Sequence, residues 1–266
     1  MEWLLNNLDS VLRLTWQHLL LSVPAVLLSV LIAVPIGRLA YRLPRVGGAL
    51  LVLTSLLYAI PALPLLILIP VIFGVPLRSG AVMVIGLTVY GVALLVRTSA
   101  DAFSAVPAAA RDAAMALGYS KTAMLWRVEL PLAVPVLLSG VRVVTVSTIG
   151  LTTIGSLLGI PSLGSLLTDG FQRGIAAEVI TGIAATLILA LLCDALLLLC
   201  GRVLAPWQWR SRRSRCEAIE SAEQSPVRSA IAGEGSAAPT DRGGACAGSV
   251  EHRGVPVNTA DRGEAL

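Results

Sequence analysis

Apolar residues in this chain come in long runs that no charge interrupts, not in the spaced stripe of a helix half exposed to water. One run separates Arg13 from Arg38, the next extends from Val46 to Leu77, and a third lies between Arg78 and Arg97. Two more follow, beyond Pro131 and beyond Glu178, each with one charge in its middle, Arg142 and Asp194. A helix that crosses a bilayer needs about 20 mostly apolar residues. The stretches at about 18–37, 46–75, 79–97, 132–156 and 178–205 qualify, which predicts an all-α membrane protein with about five core spans. The second stretch carries Pro61, Pro64, Pro70 and Pro76, so its outer half is expected to be kinked or partly unwound. Residues 157–177 are amphipathic and Gly-rich, and fit a short re-entrant or interfacial helix better than a sixth span.

Composition supports the membrane class and narrows little else. The chain is 56% hydrophobic and 14% charged, whereas a soluble domain carries about 25% charge. Its first residues include Glu2, Asp9 and Arg13 instead of a basic leader, so the first run reads as an uncleaved span. Cys193, Cys200, Cys216 and Cys246 form no C-x-x-C pair, and His18 and His252 stand far apart, which leaves almost no material for a zinc site. The arginines are dispersed, which argues against a nucleic-acid partner. Their distribution sets an orientation, because positive residues concentrate on cytoplasmic flanks. With the N-terminus outside, Arg38, Arg42, Arg45, Arg97, Arg111, Lys121, Arg127, Arg202, Arg210, Arg212, Arg213 and Arg215 face the cytoplasm, against Arg13, Arg78 and Arg173 outside. The C-terminus and the polar stretch at about 104–131 are then cytoplasmic. From Trp207 to the end, the chain is rich in Ser, Ala, Gly, Arg and Glu, and 207–266 is expected to be a disordered tail. Its first arginines either touch anionic headgroups or only fix topology, and Trp207 and Trp209 fit an interfacial belt.

The stretch at 104–131 has the marks of folded structure. Pro107 suits a first helical turn, the alanines from Ala108 to Ala116 favour a helix, and Gly118 suits the position just past its end. Ser120 can cap a second short helix that runs through Trp126 to Leu130, and Pro131 marks the turn into the fourth span. The alanines leave a smooth face for another protein, and Arg111 and Asp112 offer charges to set its register. The plainer alternative is an amphipathic connector lying on the membrane.

Two charges inside spans call for partners. Arg142 and Asp194 each lie about ten residues from the inner end of a span, roughly 15 Å deep, so they are expected to pair. Either the pair locks two helices or it serves gating or the substrate path. Tyr58 and Pro61 are the other pathway candidates, since irregular backbone in a membrane is tolerated where protein or water meets it. Tyr58 is placed to contact a quaternary ammonium by cation–π attraction, or else simply packs.

The residues 111–131, RDAAMALGYSKTAMLWRVELP, resemble the EAA loop of importer-type ABC permeases. Asp112, Ala113 and Ala114 stand for E-A-A, Gly118 follows at the expected spacing, and Val128, Leu130 and Pro131 occupy the I-x-L-P positions. Asp for Glu and Val for Ile are the departures. Leu57–Leu63, Val96–Thr98, Arg127–Ala133 and Ser139–Arg142 are similar to the permeases for glycine betaine, carnitine and choline, over roughly residues 10–206. A departure is Gly159–Gly164, GIPSLG, where a plainer glycine-rich run would be expected. The resemblance implies the type I ABC importer permease fold in a bacterial cytoplasmic membrane. It also implies partners: an ATP-binding subunit docked on the loop, an extracytoplasmic substrate-binding protein, and a second permease copy or a paralogue. ATP and Mg would be bound by the partner, for this chain has no G-x-x-x-x-G-K-[ST] and Lys121 is its one lysine. The expected function is ATP-driven import of an osmoprotectant such as glycine betaine, choline, carnitine or proline betaine. Alternatives are import of another small solute such as an amino acid, or an intramembrane enzyme. For the enzyme, neither H-E-x-x-H nor G-x-S-x-G is present. A transporter driven by ions alone would need more intramembrane charges than the sequence holds.

Overall fold

Every apolar run becomes helical in the computed structural model, which describes residues 7–204. These residues lie in the first of two compact units, Met1–Arg210. The tail, with its arginine cluster and Trp207 and Trp209, falls outside the described residues.

The first run is one long helix, α1 (Leu8–Arg42), which extends past both ends of the expected span 18–37. A helix need not stop where its apolar stretch stops, and Asp9, Arg13, Arg38 and Arg42 continue it beyond hydrocarbon depth. The second run is two helices, α2 (Pro44–Ala59) and α3 (Ala62–Phe73), bent by 105°. The break is sharper and more local than a partly unwound outer half. A proline forces the residue before it out of the helical region, and Ile60 is extended at φ −68, ψ 127. Pro64 falls in the first turn of α3, where its missing N–H is harmless, and Pro70 is carried inside that helix.

The third span is α4 (Gly80–Ser104). The polar stretch holds α5 (Ala108–Ala116), then α6 (Lys121–Met124) and a π-helical turn (Leu125–Glu129). The turn leads without a gap into α7 (Leu130–Thr152), and a 3₁₀ segment (Thr153–Leu158) follows. The expectation that Pro131 marks a turn is therefore corrected: Lys121–Leu158 is one continuous helical rod. Pro131 lies in the first turn of α7, and the wider π turn just before it keeps the helix unbroken. Residues 164–173 form a short helix, α8 (Gly164–Arg173), before the last span, α9 (Ala176–Leu204). By length and composition the described residues hold four spanning helices, or five with the bent pair, and no strand.

The bundle is held by close backbone approach more than by large side chains. Along α1, Ala25, Ser29, Ala33 and Gly37 recur every fourth residue and are buried. That small-residue stripe lets α4 pack tightly, as is common between membrane helices. A Cβ on Gly37 would collide with Ser99 and Val96, and one on Gly91 would collide with Ser29. In the same seam Ser29 donates to the Ala25 carbonyl at 2.7 Å, whereas the buried Ser99 Oγ has no hydrogen-bond partner; where α1 meets α7, His18 Nε2 donates to the Ile149 carbonyl at 3.1 Å. The two ends of the bundle are marked by contacts. Arg38 of α1 reaches Glu129, which gathers the C-terminal end of α1 and the 104–131 segment. The Arg78 guanidinium lies closely over Gly159, which gathers the α3–α4 link and the segment after α7 at the other end.

Candidate functional site

The 104–131 segment owes its shape to its two ends. Pro107 sits at the N-cap of α5 with extended backbone (φ −58, ψ 134), one residue earlier than a first-turn placement. At the other end Gly118 adopts φ +78, a left-handed conformation that side chains rarely tolerate. Its N–H donates to the Met115 carbonyl at 3.0 Å, and the Tyr119 N–H donates to the Ala114 carbonyl at 3.1 Å. These two bonds are a Schellman closure, which turns the chain sharply and satisfies carbonyls the helix leaves open. Ser120 then caps α6, its Oγ accepting from the Ala123 N–H at 3.3 Å.

That geometry divides the motif residues between two faces. Asp112 and Ala113 are exposed, whereas Ala114 is buried against the bundle. Val128, Leu130 and Pro131 are half-buried on the rod behind. The outward face also carries Met115, Leu117 and Tyr119, with Leu117 77% exposed. Sequence reading passed over these three. The available signal was a set of large apolar side chains beside a glycine turn that has no local core to receive them.

Arg111 is held within the chain. Its Nη2 donates to the Phe103 carbonyl, its guanidinium lies 5.0 Å over the Tyr41 ring, and its Nε is 3.7 Å from Glu129 Oε1. Arg38 donates to Glu129 Oε2 from Nη2 at 2.9 Å and from Nε at 3.2 Å. Glu129 is thus a buried carboxylate between two arginines. Its one signal in the sequence is that it is the only acid between Asp112 and Asp169.

Deeper in the bundle the two expected partners meet. Arg142 of α7 donates to Asp194 of α9 through Nε to Oδ1 and Nη2 to Oδ2, both at 2.7 Å. The fork is two-pronged, the arrangement in which guanidinium and carboxylate bind best. It is only partly covered by this chain, for the side chains remain 35% and 22% exposed.

At the break of the second span, Tyr58 stands 50% exposed, its ring edge-on to Tyr90 at 5.8 Å. The Tyr90 hydroxyl donates to the Ile60 carbonyl, one of those the break before Pro61 releases from helical bonding. Tyr90 is a second functional candidate that the sequence concealed, because in α4 it looks like any core aromatic. The structure does not bring Tyr58 or Pro61 into contact with the Arg142–Asp194 pair. Among the described residues, no group of three or more His, Cys, Asp or Glu side chains is placed to hold a metal.

Comparison with known proteins gives one consistent answer. Residues 19–210 match the family described as binding-protein-dependent transport system inner membrane component. The chain is 28% identical to a glycine betaine/carnitine/choline transport system permease protein of Bacillus subtilis, over 76% of this chain and 87% of that protein. It is 32% identical to an osmoprotectant import permease protein of Salmonella typhimurium, over 74% and 83%. In three dimensions it is similar to a chain of the MetNI methionine ABC transporter in an inward-facing conformation. The TM-score is 0.61, with 22% identity, covering 77% of this chain and 96% of that one.

Proposed function

Because this chain belongs to the family of inner membrane components of binding-protein-dependent transport systems, we propose that it builds the translocation pathway for a small osmoprotectant and is driven through α5. The chain is a multi-pass transport subunit of a bacterial ABC importer and not an enzyme, and ATP is hydrolysed on a separate subunit. The substrate proposed is glycine betaine, choline, carnitine or proline betaine. Support for it comes from the relatives' names and from Tyr58, whose exposed ring at the helix break can attract a quaternary ammonium.

The observation that carries the proposal is α5 itself. It is a short helix closed by a left-handed glycine, anchored on its inner side by Ala114 and Arg111, and open on its outer side at Asp112, Ala113, Met115 and Leu117. A rigid knob with an apolar outer face and a fixed back suits mechanical docking of an ATPase. ATP and Mg belong to that partner, and an extracytoplasmic binding protein delivers the solute. The N-terminus is proposed outside and the C-terminus in the cytoplasm. The arginine bias favours this, and the Arg38–Glu129 contact puts α5 at the arginine-rich end of α1.

A second permease copy or a paralogue completes the pathway. In the apolar core of α9 only 6% of residues are buried by this chain, and the Arg142–Asp194 pair is left half covered. A charged pair at that depth is costly against lipid, so it belongs beside another chain or water. In that arrangement, Arg142 and Asp194 border the pathway. Uptake of labelled glycine betaine and choline, by cells with and without the gene at high osmolarity, tests the reading. Gene-dependent uptake of either supports it; equal uptake in both strains counts against an osmoprotectant and redirects the search to other small solutes such as amino acids.

A further inference from the structure

Glu129 closes the π-helical turn at the inner base of α7 and is 6% exposed. A buried carboxylate is unfavourable unless paired, and its partners come from two other elements. Arg38 of α1 holds Oε2 by hydrogen bonds at 2.9 and 3.2 Å. Arg111 of α5 stands 3.7 Å from Oε1, beyond hydrogen-bond length. The same Arg111 reaches the last turn of α4 through the Phe103 carbonyl and α1 through the Tyr41 ring. One carboxylate and two guanidiniums therefore join the docking helix to the inner ends of three membrane helices.

Holding the fold together does not by itself account for this cluster. Apolar residues of similar volume often match or exceed a buried ion pair in stability. The two sides of Glu129 are held with different tightness. Oε2 is tightly held, whereas Oε1 has slack toward Arg111, so a small shift of α5 can tighten one contact while loosening another. The π turn lies at the same point, and such turns are frequent at functional sites.

We infer that Glu129, Arg38 and Arg111 are positioning residues that pass displacement of α5 to α1 and to the base of α7. This rests on the proposed docking of the ATPase at α5. The test uses the complete transporter in vesicles, with labelled glycine betaine imported per ATP hydrolysed as the readout. Glu129→Gln, Arg38→Met and Arg111→Met leave assembly intact and ATP hydrolysis close to wild type. They lower the import ratio about five-fold, the size expected of residues that couple sites without touching either ligand. Arg38→Lys, which retains the charge, recovers most of the ratio. Assembled variants with the wild-type ratio overturn the inference. So does loss of assembly in all three charge-removing variants, since that assigns the cluster to folding alone. A wild-type complex that neither assembles nor imports instead overturns the transport reading, and this inference with it.

Discussion

Arg142 and Asp194 stand 52 positions apart in the chain and meet in a two-pronged ion pair with both contacts at 2.7 Å. Each charge would be expelled from hydrocarbon by itself. Together they join α7 to α9. Asp194→Asn leaves the Arg142 charge without its partner. Removing one member of a fully buried pair costs about 3–5 kcal/mol, and the partial exposure of this pair reduces the expected loss to about 2 kcal/mol. A lower unfolding temperature in detergent is the expected outcome. The double replacement Arg142→Met with Asp194→Leu recovers that stability. Its uptake stays low if the pair borders the pathway and returns if the pair only locks helices.

Gly118 is the bend between α5 and α6. Gly118→Pro cannot adopt φ +78 and also removes the N–H that bonds the Met115 carbonyl. The protein still inserts, but uptake is abolished and an ATPase no longer co-purifies with it in mild detergent. Gly118→Ala is milder, with a strain of about 1–2 kcal/mol, and retains part of both. Normal uptake by the proline variant would refute the placement of the bend.

Gly37 sits where α1 touches α4. In Gly37→Val the first added carbon already collides with Ser99 and the Val96 backbone, so the helices must separate. Overpacking of this kind costs about 1–3 kcal/mol. Melting in detergent should fall by several degrees, whereas a valine at the open Gly48 should leave it unchanged.

Tyr58 and Tyr90 should differ in the kind of defect they produce. Tyr58→Ala removes an exposed ring and raises the KM for a quaternary ammonium, while Tyr58→Trp preserves it. Tyr90→Phe keeps its ring but uncaps the Ile60 carbonyl, at a cost of about 1 kcal/mol. Its mark is reduced stability of the break with similar changes for every substrate. A Tyr58→Ala transporter with unaltered KM for glycine betaine would remove Tyr58 from the pathway.

Much of the fold was legible because the bilayer imposes a simple rule. A charge-free run of sufficient length must become a spanning helix, so the spans followed from the positions of Arg13, Arg38, Arg78 and Arg97. Pro107, Gly118 and Ser120 act through local backbone geometry, and the elbow they predict is present with only its Pro107 end shifted by a residue. The pairing of Arg142 with Asp194 was predictable from depth alone, since two opposite charges at similar height have few other solutions.

Other features depended on which helix faces which, and no local rule supplies that. The sequence alone determined the spans, the elbow and the depth of the buried charges, because hydropathy and the backbone preferences of Gly and Pro act over a few residues. Only the tertiary structure decided that Arg38 and Arg111 converge on Glu129, that Arg111 also reaches the Phe103 carbonyl and the Tyr41 ring, and that Tyr90 caps Ile60. Those contacts link residues as much as 91 positions apart. The reach of Arg38 to Glu129 depends on where α1 lies, and the small residues Ala25, Ser29, Ala33 and Gly37 let α1 lie close on α4.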